Sequence, residues 1–184
     1  MALKLLKLFP FRAFQLKILA DLLRLNVCSV AEIGVYRGAN AKCLRTLFPE
    51  AQLYLIDPWM LSPEYVRGGG CITQDPTEMS KAFETVMECF GNDPLTKVIR
   101  KTSEDAIHDV NCVDIAFIDG DHSYKSVIRD IELWQGKVRE GGILAGHDYG
   151  YPGLDGVKQA VDECFGNDVI IGSDYTWLKV IRPS

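Results

Sequence analysis

A chain of 184 residues, 47% hydrophobic and 24% charged, carries enough apolar side chains for one ordinary core, and a single domain over 1–184 is expected. Its formal net charge of -5 excludes a partner held mainly through phosphates, since such affinity needs clustered Lys and Arg; nucleic acid is not expected. Its 6 cysteines show no CxxC pair and no Cys/His ligand spacing, which fits reduced thiols and a cytoplasmic setting.

The opening stretch, MALKLLKLFPFRAFQLKILADLLRLN, is rich in leucine and has no acid before Asp21. Lys4, Lys7, Arg12, Lys17 and Arg24 interrupt it too often for a signal-peptide core or a spanning helix. Residues 1–26 therefore read as a helical segment, with an amphipathic helix over about 11–25 packed on the domain and no stable membrane insertion. A loose membrane-surface contact is the other reading of that pattern.

SVAEIGVY then reads as a first strand ending at Gly34, and ANAKCLRTLF as a helix. AQLYLIDPW reads as a second strand closed by Asp57-Pro58, because the residue before proline is pushed out of helical geometry. LSPEYVRGGGCITQD, residues 61–75, reads as a loop excursion that would serve as a lid, ahead of a helix over about 77–90. LTKVIRKTSEDAI supplies a third strand, VDIAFIDG a fourth, VIRDIELWQGKV a helix, and GGILAGHDY a fifth strand preceded by a Gly141-Gly142 turn. A helix over about 156–165 and a hairpin of VIIG and TWLKVI complete the chain. The alternation implies an α/β fold: a doubly wound, mostly parallel seven-stranded sheet with an antiparallel C-terminal hairpin.

In such sheets ligands bind beyond the carboxyl ends of the strands, where the winding reverses. Glu32 to Gly38, Asp57, Ser103 to Asp105, Asp119 to His122 and His147-Asp148 all fall at such ends and should share one rim. The first turn is not GxGxxG, so it lacks the pyrophosphate cradle of dinucleotide enzymes and suits a nucleoside without phosphates. Asp57 stands where an acid accepts from ribose hydroxyls, or else fixes the Asp-Pro turn.

The ordered set EIGVYRGANA, LIDPW, SED and GGILAGHDY resembles the motifs of class I S-adenosylmethionine-dependent methyltransferases. That resemblance implies that Glu32, Gly34 and Gly38 line the methionine end of the cofactor, Asp57 the ribose, and Ser103 with Glu104 the adenine. IDGDHSY followed by GGILAGHDY is most similar to a metal-dependent subset that methylates hydroxyls, including sugar and macrolide O-methyltransferases. It implies Mg2+ or another divalent cation on Asp119 and Asp148, with His122 as base and Asp119 counted also on the cofactor side. Where relatives place a second acid this chain has His147, a poorer partner for a hard cation. Asp121 either supplies a further oxygen or caps the next helix. The implied activity is methylation of a small-molecule hydroxyl, with a homo-oligomer left open. A nicotinamide-dependent oxidoreductase and a non-catalytic nucleoside-binding protein are the alternatives.

Overall fold

Runs of β-branched and aliphatic residues at the centre of the chain are buried on both faces, as parallel strands covered by helices must be. In the computed structural model, which describes residues 11–61, 73 and 75–182, β1 (Ser29–Ile33), β2 (Gln52–Ile56), β3 (Thr96–Ile99), β4 (Val113–Ile118) and β5 (Val138–Gly146) run parallel. β6 (Ile170–Ile171) and β7 (Trp177–Val180) form the expected hairpin, and β7 lies antiparallel to β5. The sheet has seven strands in the order β3-β2-β1-β4-β5-β7-β6. The winding therefore reverses between β1 and β4, and the crevice lies at their carboxyl ends.

Helices α1 (Phe11–Leu22), α2 (Ala39–Leu47) and α3 (Pro76–Phe90) cover one face, burying Ala13, Leu16, Leu44 and Val86 against Val30, Leu53, Phe117 and Ile143. The short α4 (Ser103–Ala106), α5 (Tyr124–Gln135) and α6 (Asp155–Phe165) cover the other, where Ile131, Trp134 and Val161 meet Ala31, Ala116 and Leu144. Two details differ from the sequence expectation. α1 closes at Leu22, because Arg24 turns left-handed and the Leu25 amide donates to Ala20 O at 2.8 Å, a Schellman-type closure. Gly141-Gly142 is no turn before β5; both lie inside it, where the register with β4 shifts between Val113 and Ile115. The lid expected over 61–75 falls almost wholly outside the described residues, as do residues 1–10. Among the described residues no helix is long and apolar enough to cross a membrane, and the cysteines at 28, 43, 89, 112 and 164 are unpaired.

Gly34 allows the two crevice strands to meet. It has φ +86°, and a Cβ there would sit 2.1 Å from the carbonyl oxygen of Asp119. Gly38 has φ +74° and opens α2, with room for a Cβ only by pressing on Val86 and Phe90 at 3.2 and 3.3 Å. Gly38→Ala is expected to cost about 1–2 kcal/mol in urea unfolding from the left-handed backbone alone.

Candidate active site

The first turn is built on Asp57. Its Oδ2 accepts from the amides of Val35 at 3.0 Å and Tyr36 at 2.9 Å, and its Oδ1 from that of Trp59 at 2.6 Å. Burial raises its pKa against those three bonds, which act to lower it. The carboxylate thus clasps the glycine turn, and its remaining lone pairs leave acceptance from a ribose hydroxyl compatible with that clasp. Tyr36, Trp59 and Asp148 all have positive φ, at 50°, 45° and 62°. Backbone of this kind in non-glycine residues is uncommon and tends to be held where a ligand is gripped; here it gathers just beyond β1, β2 and β5.

Glu32, on β1, is 1% exposed. Burial pushes its carboxyl up to about 8, against a 3.0 Å hydrogen bond from Asn40 Nδ2 to Oε1. Its Oε2 and the Asn40 Oδ1 are both buried without a hydrogen-bond partner among the described residues. A buried acceptor without a donor costs free energy, and the pair suits a cationic donor group.

Beside it the ends of β4 and β5 bring four predicted residues together. His122 Nε2 lies 2.9 Å from Asp148 Oδ2 and 3.8 Å from Asp119 Oδ1. His147 Nδ1 lies 3.0 Å from Asp148 Oδ1 and 3.8 Å from Asp119 Oδ1. One ligand atom from each of Asp119, His122 and Asp148 falls within 4.8 Å of the others. Burial alone would depress the His122 pKa, but the bonds and charges of the two carboxylates outweigh it and hold the imidazole up to about 10. Burial opposes ionisation of Asp148, yet its two imidazole partners keep its carboxyl far below the usual range. His147 is raised too, its bond to Asp148 prevailing over burial.

Asp121 turns away from this group. Its Oδ1 accepts from the Ser123 amide at 2.9 Å and its Oδ2 from Ser126 Oγ at 3.0 Å, so it braces the start of α5. At the adenine-side loop, Ser103 Oγ accepts from Trp134 Nε1 at 2.8 Å, and Glu104 faces Arg129 at 3.6 Å on the surface. Neither side chain touches the four-residue cluster, and Thr102 rather than Ser103 caps α4.

Sequence reasoning missed Arg12, whose Nη1 donates to Asp119 Oδ2 at 2.7 Å, and Asn40. A signal for Arg12 was present: it shares a helical stripe, at intervals of four, with the buried Leu16 and Ala20. A cation on the packed side of a helix must meet a partner inside.

Residues 31–149 match the model of a family described as a methyltransferase domain. Among curated proteins, Uncharacterized protein R132 of Acanthamoeba polyphaga mimivirus is 27% identical over 136 residues, which cover 71% of this chain and 56% of that protein. The chain thus spans little more than half the length of that relative. Among solved structures, the O-methyltransferase NovP has a TM-score of 0.69 at 16% identity, over 94% of this chain and 80% of NovP. Cofactor-bound Rv0187 from MTB has a TM-score of 0.62 at 14% identity, over 94% and 81%. The calicheamicin methyltransferase CalS11 has 0.62 at 15%, over 91% and 77%. At such identities these structures speak for the fold, while the family match covers most of the sheet and both ends of the crevice. The chain belongs to the methyltransferase-domain family.

Proposed function

We propose that the protein transfers the methyl group of S-adenosylmethionine to a hydroxyl of a small molecule, assisted by a divalent cation. The observation that carries this reading is the convergence of Asp119, His122, His147 and Asp148 beside the Gly34 crevice. Two groups are implied. For the cofactor, the close approach permitted at Gly34 and the unfilled Glu32 oxygen suit a nucleoside carrying a cationic amino-acid end. For the metal, Asp119 and Asp148 lie in one 4.8 Å group with His122, and His147 Nδ1 stands 3.8 and 3.0 Å from the same two carboxylates, so two acids and an imidazole fit a divalent ion, and the nitrogen donor favours Mn2+ over Mg2+.

In this reading Asp119, Asp148 and His147 hold the ion, and Glu32, Gly34 and Gly38 receive the methionine end. Asp57 accepts from the ribose, with Ser103 and Glu104 on the adenine side. Once bound, the ion would supply Lewis-acid polarisation of the acceptor hydroxyl and would neutralise the carboxylates that keep His122 charged. His122 then takes the hydroxyl proton at Nε2, and Asp148 steadies the imidazolium that results. Holding acceptor and donor in line contributes more than the base does, roughly 7–11 kcal/mol against a 10²- to 10⁴-fold rate effect.

The test is methyl transfer to a panel of hydroxyl compounds with Mn2+, with and without chelator. The expected result is chelator-sensitive hydroxyl methylation; transfer confined to amines or thiols would overturn the reading. His122→Ala should keep Mn2+ binding in calorimetry while losing about 10²- to 10⁴-fold in turnover. Loss of Mn2+ binding in that variant would instead place His122 among the ligands, a second reading favoured by its place within the 4.8 Å group.

A further inference from the structure

Helix α1 does more than cover a face of the sheet. Gln15 ties it to the β6–β7 turn with two bonds, its Nε2 donating to Ser173 O and its Oε1 accepting from the Ser173 amide, each at 2.9 Å. With Ala13 and Leu16 fully buried, the helix carries Arg12 to the crevice, where its side chain is 22% exposed. The guanidinium uses Nη1 on Asp119 Oδ2 at 2.7 Å, while Nε is buried with no acceptor among the described residues. Its charge acts to lower the pKa of Glu32, Cys43 and His147 alike, which sets it in the corner between β1, α2 and the end of β5. That corner therefore holds two acceptors without a donor, Glu32 Oε2 and Asn40 Oδ1, and a donor without an acceptor, Arg12 Nε, while His147 Nε2 at the end of β5 likewise has no hydrogen-bond partner among the described residues.

The amino-acid end of S-adenosylmethionine is a zwitterion, and a buried site for it needs an anion for the ammonium and a cation for the carboxylate. Glu32 supplies the first. We infer that Arg12 supplies the second: the carboxylate of the bound cofactor seats on the Nε–Nη2 edge of Arg12 while Nη1 stays on Asp119. A side-on guanidinium offers two parallel N–H donors to one carboxylate, and engagement of Nη1 elsewhere leaves that edge open. The bond to Asp119 fixes the guanidinium before the cofactor arrives, so little side-chain entropy is lost on binding. This inference rests on the cofactor pocket proposed above, and it assigns a binding role to a residue outside the matched segment 31–149.

The test compares two probes by calorimetry: S-adenosylhomocysteine, which has the amino-acid end, and methylthioadenosine, which lacks it. Arg12→Ala is expected to weaken S-adenosylhomocysteine roughly 10- to 100-fold, the loss of one charged hydrogen-bonded pair, and to leave methylthioadenosine unchanged. Arg12→Lys, which keeps charge but not the fork, should recover part of the loss. Unchanged methylthioadenosine binding also shows that the variant is folded. Equal weakening of both probes, or of neither, would overturn the role of Arg12 while leaving the pocket intact. Failure of the wild-type chain to bind either probe would bring down the pocket and this inference together.

Discussion

Asp148→Asn is expected to lower turnover on the order of 10³-fold, to weaken Mn2+ binding, and to leave affinity for S-adenosylhomocysteine nearly unchanged. Asn matches Asp in shape and tolerates the left-handed backbone at φ +62°, so the end of β5 should keep its course. What the substitution removes is charge. Asp148 stands between His122 at 2.9 Å and His147 at 3.0 Å and is 7% exposed, so a neutral amide there deprives two imidazoles and any bound cation of a poorly screened carboxylate. Asp57, Glu32 and Gly34 stand on other strand ends, which is why cofactor affinity should survive. The measurement is a turnover assay beside paired titrations with Mn2+ and S-adenosylhomocysteine. Turnover within a few-fold of wild type would remove Asp148 from the chemistry, and parallel loss of both affinities would make it a structural post.

The strand ends were legible because their signals are local. VDIAFI is buried at every position, so an apolar run followed by Asp119 and His122 marks a strand that surfaces into a crevice. The hydrophobic alternation of helix and strand likewise implied both layers and the final hairpin. What escaped was set by register and by distance. Gly141-Gly142 looks like a turn until β5 is aligned with β4, and only then does the pair fall within a register shift. The stripe with Leu16 and Ala20 turns Arg12 inward, but its partner Asp119 lies 107 positions on, and no local pattern reports which residue a helix side chain will meet there. Asp57 shows an intermediate case: its place after β2 marked it as polar and inward, but its bonds to Val35 and Tyr36 depend on how closely β1 and β2 end together. Ser103 was expected on the adenine side, and the bond its hydroxyl accepts from Trp134, thirty-one residues on, is one no local pattern reports.

Glu32→Gln should make the protein more stable and a worse binder of its cofactor. Burial raises the Glu32 carboxyl from its ordinary 4.5 to about 8, so the folded chain holds this proton more tightly than the unfolded one does. The native state accordingly has its full share of stability below about pH 4.5, loses it as pH rises toward about 8, and bears the whole cost of a buried anion above that. Glutamine cannot ionise, so the variant should match wild type in acid and gain stability progressively through that window, reaching roughly 5–10 °C in melting temperature at alkaline pH. The same change removes the negative charge from Oε2, the oxygen without a partner, and should weaken S-adenosylhomocysteine by about 10- to 100-fold. Such a pairing of opposite signs is what a binding carboxylate held in an apolar strand requires, since a purely structural acid would lose stability when neutralised. Melting curves across pH, beside calorimetry on the same variant, decide it: a less stable Glu32→Gln with unaltered affinity would show that the carboxylate serves only its bond to Asn40.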